Sequence, residues 1–241
     1  AMTIAAQSQF NSLFETGLAI EKFFDSFYEH AKDTVEALQQ FKGSTLLISP
    51  TTGIGFLNQV FQGDEIKIQK FFDDAAQCMN RIGENCRKNN INLAIRNEYW
   101  TLMRGDRIDE FLKRIDSDLV SYAPDPAHRH IAGANPVDYF KKYAKQAKAV
   151  CFTDTKFVDQ LDVYKTISPE FPQDGNLQRV YYDLGYGEMD FKSIYGILKE
   201  AAFDGPVILD SKYSLDIPKA ILRMRTFWNR LEQSYAAKEV R

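Results

Sequence analysis

Repeatedly along this chain, a segment whose apolar residues recur at helical spacing is followed by a short run that is apolar at nearly every position. A strand apolar on both faces must be covered on both, which points to a parallel sheet with helices packed outside it. The spacing predicts a helix over 18–41, with Phe23, Phe24, Phe27, Ala31, Val35 and Leu38 on its buried stripe. Gly43 stops that helix, a strand follows at 44–50, and Thr51-Thr-Gly-Ile-Gly55 reads as a loop. Helices over 65–88, over 108–115, from Pro136 onward and over 191–202 each precede a strand, at 91–98, from Asp118, at 149–154 and at 206–210. A last helix covers 218–237, and Met2–Phe10 is a further possible strand. The reading is one α/β domain spanning 1–241 with about six parallel strands.

The 241 residues suit a single α/β barrel, which typically takes about 250. Thirty basic and 33 acidic side chains leave a net charge of -3. Nucleic acid is therefore not an expected partner, since its binding needs clustered Lys and Arg; a small neutral or metal-held substrate suits the charge better. No run reaches the roughly 20 apolar residues of a membrane span, and no basic leader opens the chain, so the expected location is the cytoplasm. Cys78, Cys86 and Cys151 form an odd set without paired spacing, as reduced thiols would, and Cys78 and Cys86 read as packing residues. Ala1 before Met2 reads as a cloning remnant.

In α/β folds built from parallel strands, chemistry collects at the carboxyl ends of the strands. Four of the later strands end on Glu98, Asp125, Asp154 and Asp210, with Cys151 and His128 close by. Each carboxylate alone is more often the N-cap of the next helix. Together they would repel unless a cation sat among them, and a divalent metal is the simple solution. Oxygen-rich ligands favour manganese or magnesium, with cobalt or zinc also fitting. His128 lies three residues beyond Asp125 and reads as a site residue, whereas Arg129 and His130 read as exposed. The segment between Thr155 and Asp190 is too long for an ordinary connection, so it is either a lid or a decorated loop. At its end, Gly185-Tyr-Gly187-Glu-Met-Asp190-Phe191 makes a weak phosphate fingerprint; Asp190 as an N-cap is the better reading.

These residues together resemble the xylose-isomerase-like family of α/β barrels of the TIM type, which includes ketose 3-epimerases and inosose dehydratases. Asn97-Glu98 is similar to the family's metal-binding Glu at a strand end. Asp125-Pro-Ala-His128 is similar to its Asp-Thr-Gly-His, in which Asp binds metal and His contacts substrate. Leu184-Gly-Tyr-Gly-Glu-Met-Asp-Phe191 resembles Gly-x-Gly-x-Val-Asp-Phe, and Phe203-Asp-Gly-Pro-Val-Ile-Leu-Asp210 resembles the segment whose strand ends in a metal-binding Glu. The resemblance implies a metal held by Glu98, Asp125, Asp210 and Cys151. It implies a sugar or cyclitol substrate, a base in Glu98 or Asp210, oxygen stabilisation by His128, and orientation by Arg96 or Lys212.

The chain departs from the family at Cys151, where the family has a metal-binding His, and at Asp210, where it has Glu. It also lacks two strand-helix units that family members carry before the segment matching Met2, so the barrel is expected to be incomplete. Open sheet edges want cover. The expected cover is a homodimer, with the aromatic helix around Phe23, Phe24 and Phe27 contributing. Two readings stand: a metal-dependent isomerase, epimerase or dehydratase abstracting a proton next to a carbonyl, and a non-catalytic member that binds a sugar or a protein. A nuclease is disfavoured by the charge and the few histidines.

Overall fold

Parallel strands dominate the computed structural model, which describes residues 2–5, 22–165, 173–174, 177–178, 180–212, 214 and 216–239. The chain forms two compact units, Ala1–Ala123 with Tyr164–Pro169, and Pro124–Val163 with Glu170–Arg241. In the first, β1 (Met2–Ala5), β2 (Thr45–Ser49), β3 (Asn92–Arg96) and β4 (Val120–Ala123) lie side by side in that order, all parallel. Leu46, Leu47 and Ile48 have no exposed surface, as a strand covered on both faces requires.

Helices α1 (Phe23–Gln40), α2 (Ile54–Phe61), α3 (Glu65–Lys88) and α4 (Arg107–Leu112) complete this unit. Asp64 starts α3 by accepting the N–H groups of Ile66 and Lys67 at 3.1 and 3.2 Å, which together hold its carboxyl below the usual range, the Lys67 bond most of all. Helix α2 corrects the sequence reading, which ran a loop through Gly55. Gly53 caps it, and Leu57 and Phe61 bury its apolar side. The stripe on α1 is buried as expected, with Phe24 and Phe71 of α3 at 4.9 Å between ring centroids. Phe23, Phe24 and Phe27 are only 2%, 8% and 1% exposed within one chain, so these rings have no surface left for the dimer contact expected of them. Cys78 and Cys86 pack in α3, where burial pushes both thiols up to about 12.

The second unit centres on β5 (Val150–Thr155), with β9 (Val207–Asp210) parallel to it and Thr153 opposite Asp210. The long insertion contains a hairpin of β6 (Gln173–Asp174) and β7 (Leu177–Gln178). Beyond it, β8 (Tyr181–Tyr182) runs antiparallel to the end of β5. Helices α5 (Pro126–Ile131), α6 (Pro136–Tyr143), α7 (Phe191–Glu200) and α8 (Ile217–Glu239) surround a core that includes Phe140, Val150, Phe152, Phe191, Ile194 and Leu231. The four parallel strands of the first sheet and the parallel pair in the second give the about six expected. No described helix is long and apolar enough to cross a membrane.

Candidate active site

Asp125 has extended backbone and caps α5, with Pro126 following at the first helical position, where its missing N–H costs nothing. Its Oδ1 accepts the Ala127 N–H at 3.0 Å and its Oδ2 accepts the Thr153 hydroxyl at 2.8 Å, all fully buried. The N-cap reading and the site reading therefore both fall on one carboxylate. The first turn of α5 swings His128 back over Asp125, leaving Nε2 3.8 Å from Oδ2.

The His128 ring meets two further side chains. Lys212 Nζ lies 3.2 Å from Nε2 and the Tyr181 hydroxyl 3.5 Å from Nδ1. An ammonium donates and cannot accept, so the Lys212 contact calls for Nε2 as the acceptor, which would leave the ring proton on Nδ1, on the Tyr181 side. The lysine also lies 5.0 Å over the Tyr181 ring, a cation–π contact that holds it in place. Behind this group Asp183, 3% exposed, accepts Ser211 Oγ at 2.5 Å and Arg223 Nη1 of α8 at 2.6 Å. The same bond raises the Arg223 guanidinium above its ordinary value. Asp210 ends β9 immediately before Ser211 and Lys212 and is partly exposed.

In the first unit Glu98 follows β3, and Arg96 Nε stands 3.5 Å from Glu98 Oε1. Tyr122 of β4 donates its hydroxyl to Asn97 Oδ1 at 2.6 Å, fixing the strand end that presents Glu98. Next to it, Arg104 donates to the Tyr99 hydroxyl at 3.1 Å and stacks on Tyr164, 3.7 Å from the ring centroid.

Asp154 has a different task from the one its strand-end position suggests. Its carboxylate accepts the N–H groups of Gly185 (2.9 Å), Gly187 (2.9 Å), Met189 (3.2 Å) and its own neighbour Thr155 (3.0 Å). The glycines let the backbone close around a carboxylate of the same chain, so the Gly-x-Gly segment already holds an anion. Burial pushes the Asp154 carboxyl up against the opposing pull of these donors. Asp190 caps α7 as expected, accepting Ser193 N at 3.0 Å. Arg129 and His130 depart from the exposed loop expected of them: both lie on α5, half-buried, with Arg129 stacked 4.4 Å over Tyr139.

Cys151 is buried and forms no disulfide. It stands two residues before Thr153, in register with Ile208 rather than Asp210. Both Asp125 oxygens are engaged, and among the described residues no group of three or more His, Cys, Asp or Glu side chains is gathered to hold a metal. Thr153, Tyr181 and Asp183 were missed in the sequence. The one available signal was the β-prone Val180-Tyr-Tyr-Asp183 directly before the glycine segment.

Parallel α/β barrels carry their sites at the carboxyl ends of their strands, which is where the buried Asp125–His128 turn lies. The family model described as xylose isomerase-like TIM barrel matches residues 9–230, and the chain belongs to that family. Inosose dehydratase of Clostridium tetani is 23% identical over 154 residues, covering 64% of this chain and 51% of the relative. The enzyme of the same name from Clostridium perfringens (strain ATCC 13124) is 21% identical over 206 residues, covering 83% and 67%. The match thus spans about half the length of the first relative. Among solved structures, a D-tagatose 3-epimerase-like protein superposes with a TM-score of 0.65 at 16% identity, over 90% of this chain and 73% of that one. The IOLI protein with a bound zinc atom gives 0.63 at 13%, over 90% and 73%. A family member from Mycobacterium smegmatis in complex with magnesium gives 0.63 at 14%, over 88% and 69%.

Proposed function

We propose that this chain acts on a sugar or cyclitol as an isomerase, epimerase or dehydratase, moving a proton at the carbon next to a carbonyl. The observation that carries the reading is the Asp125–His128–Lys212–Tyr181 group, buried but for the partly exposed Lys212, in a chain of this family. Removing such a proton leaves negative charge on the former carbonyl oxygen, and fixed donors aimed at that oxygen lower the barrier. Lys212, a cation beside His128, is assigned the oxygen. His128, between Lys212 at Nε2 and Tyr181 at Nδ1, contacts substrate. Glu98 or Asp210 takes the proton, and Arg96 orients the sugar or, through its contact with Glu98, the base.

The names of the relatives support this substrate class, and inosose is the first compound to test. Metal dependence belongs to the proposal as a quantity to measure. The ligands would be Glu98, Asp125, Asp210 and Cys151, with manganese first and magnesium, cobalt or zinc after it. Cytoplasmic location, a single functional domain over 1–241 and a homodimer in solution complete the proposal.

The test is product analysis with inosose and a panel of ketoses, with and without each metal. Turnover lost in Lys212→Met and His128→Ala supports the reading. Saturable binding without turnover under every metal condition favours the non-catalytic reading, for which Cys151 in place of a ligand His is the specific observation.

A further inference from the structure

We propose that Asp183 is the positioning residue of this site, acting through Ser211 to seat Lys212 on His128; the inference rests on the function proposed above. Asp183 is nearly fully buried and lies outside every motif used to recognise the site. Its two oxygens tie together three separate stretches of chain. Oδ1 takes the hydroxyl of Ser211, whose next residue is Lys212. Oδ2 takes Arg223 Nη1 of α8. Asp183 itself follows β8, whose Tyr181 touches His128 Nδ1 and underlies the lysine.

One carboxylate thus links two of the groups that contact the imidazole, Tyr181 two residues before it in the chain and Lys212 next to the Ser211 it accepts from. The tautomer is where such a role would show: a Lys212 seated on Nε2 favours a ring proton on Nδ1, and Ser211 directly precedes Lys212. Lysine side chains carry large rotamer freedom, so an ammonium on a strand-end loop needs such an anchor to occupy one position. The bond from Ser211 is short and made to an ionised acceptor, the stronger kind. Arg223, by contrast, is about half exposed and serves to keep the Asp183 carboxylate charged and in place.

The test uses the full chain labelled with 15N-histidine, without substrate. Long-range 1H–15N spectra separate the two ring nitrogens of each of the three histidines; His128→Gln assigns the signals. Wild-type protein is expected to show the Nδ1–H tautomer at His128. Ser211→Ala and Asp183→Asn should shift it toward a mixture of tautomers, as Lys212→Met does, with His30 and His130 unmoved. Ser211→Thr, which keeps the hydroxyl, should restore the wild-type signals. In the turnover assay Ser211→Ala should lower kcat by about a hundredfold, the size expected when a reacting group is misplaced by about 1 Å, with KM little changed. Wild-type His128 signals in both Ser211→Ala and Asp183→Asn, with Lys212→Met altered, would overturn the role of Asp183. A Lys212→Met spectrum identical to wild type would overturn the contact itself. Absent turnover in the wild type refutes the function proposed above and leaves the spectra to decide the positioning role.

Discussion

Replacing Gly187 by alanine probes the link between the glycine segment and Asp154. A Cβ on Gly187 would overlap Oδ1 and Cγ of Asp154 and stand 2.7 Å from the Thr155 nitrogen. Neither neighbour can yield cheaply: one is backbone, and the other is a buried carboxylate held by four N–H donors. Moving the carboxylate aside sacrifices at least the bonds from Gly187 and Met189. Hydrogen bonds to charged groups contribute about 1.5–3 kcal/mol each, so the loss is at least about 3 kcal/mol. For a chain of this size that lowers Tm by about 6–12 °C. Thermal unfolding followed by circular dichroism measures it, and a double-mutant cycle sharpens it. Asp154→Ala removes the carboxylate, so adding Gly187→Ala to it should cost clearly less than Gly187→Ala alone, the remainder coming from the Thr155 nitrogen. A Gly187→Ala protein melting within a degree or two of wild type, or strict additivity in the cycle, would refute the reasoning.

Asp190→Ala should cost about 1 kcal/mol through loss of the α7 cap. Because Ser193 holds the Asp190 carboxyl below its ordinary 3.8, that contribution is present above 3.8 and fades as pH falls through the lower folded value; denaturant titrations at neutral and acid pH should show the gap to wild type closing. Burial holds His130 below its ordinary 6.5, outweighing the attraction of Glu188 and Asp154. Protonation therefore favours the unfolded chain, and stability present above 6.5 is lost as pH falls below it; His130→Gln should flatten that part of the Tm profile.

Strands were legible where burial on both faces gave an unbroken apolar run, as at Leu46-Leu47-Ile48, because its short length between Gly43 and Pro50 decides for a strand over a buried helix. The start of α3 was legible because a 24-residue amphipathic stripe outweighs local ambiguity. Helix α2 was not: eight residues beginning beside Gly53 and Gly55 look like a turn, and only the burial of Leu57 and Phe61 decides for a helix. Within the site, Asp125, His128 and Lys212 could be named from the chain order of strand ends. Asp154 looked the same as Asp125 in sequence, because a carboxylate at a strand end serves a loop of N–H donors as readily as a ligand. Tyr181 and Asp183 were hidden because β8 is two residues long and reaches the site only through pairing with β5.

The most direct test of the proposed chemistry is proton exchange. Inosose and a panel of ketoses would be incubated with the full chain in heavy water, with and without divalent metal. 1H NMR would then follow deuterium entering at the carbon beside the carbonyl, a step shared by epimerisation, isomerisation and dehydration. The expected result is protein-dependent exchange or water loss with at least one of these substrates, removed by His128→Ala and Lys212→Met in proteins that still fold. Exchange at the protein-free rate with every substrate and every metal, from a folded wild-type chain, would contradict it.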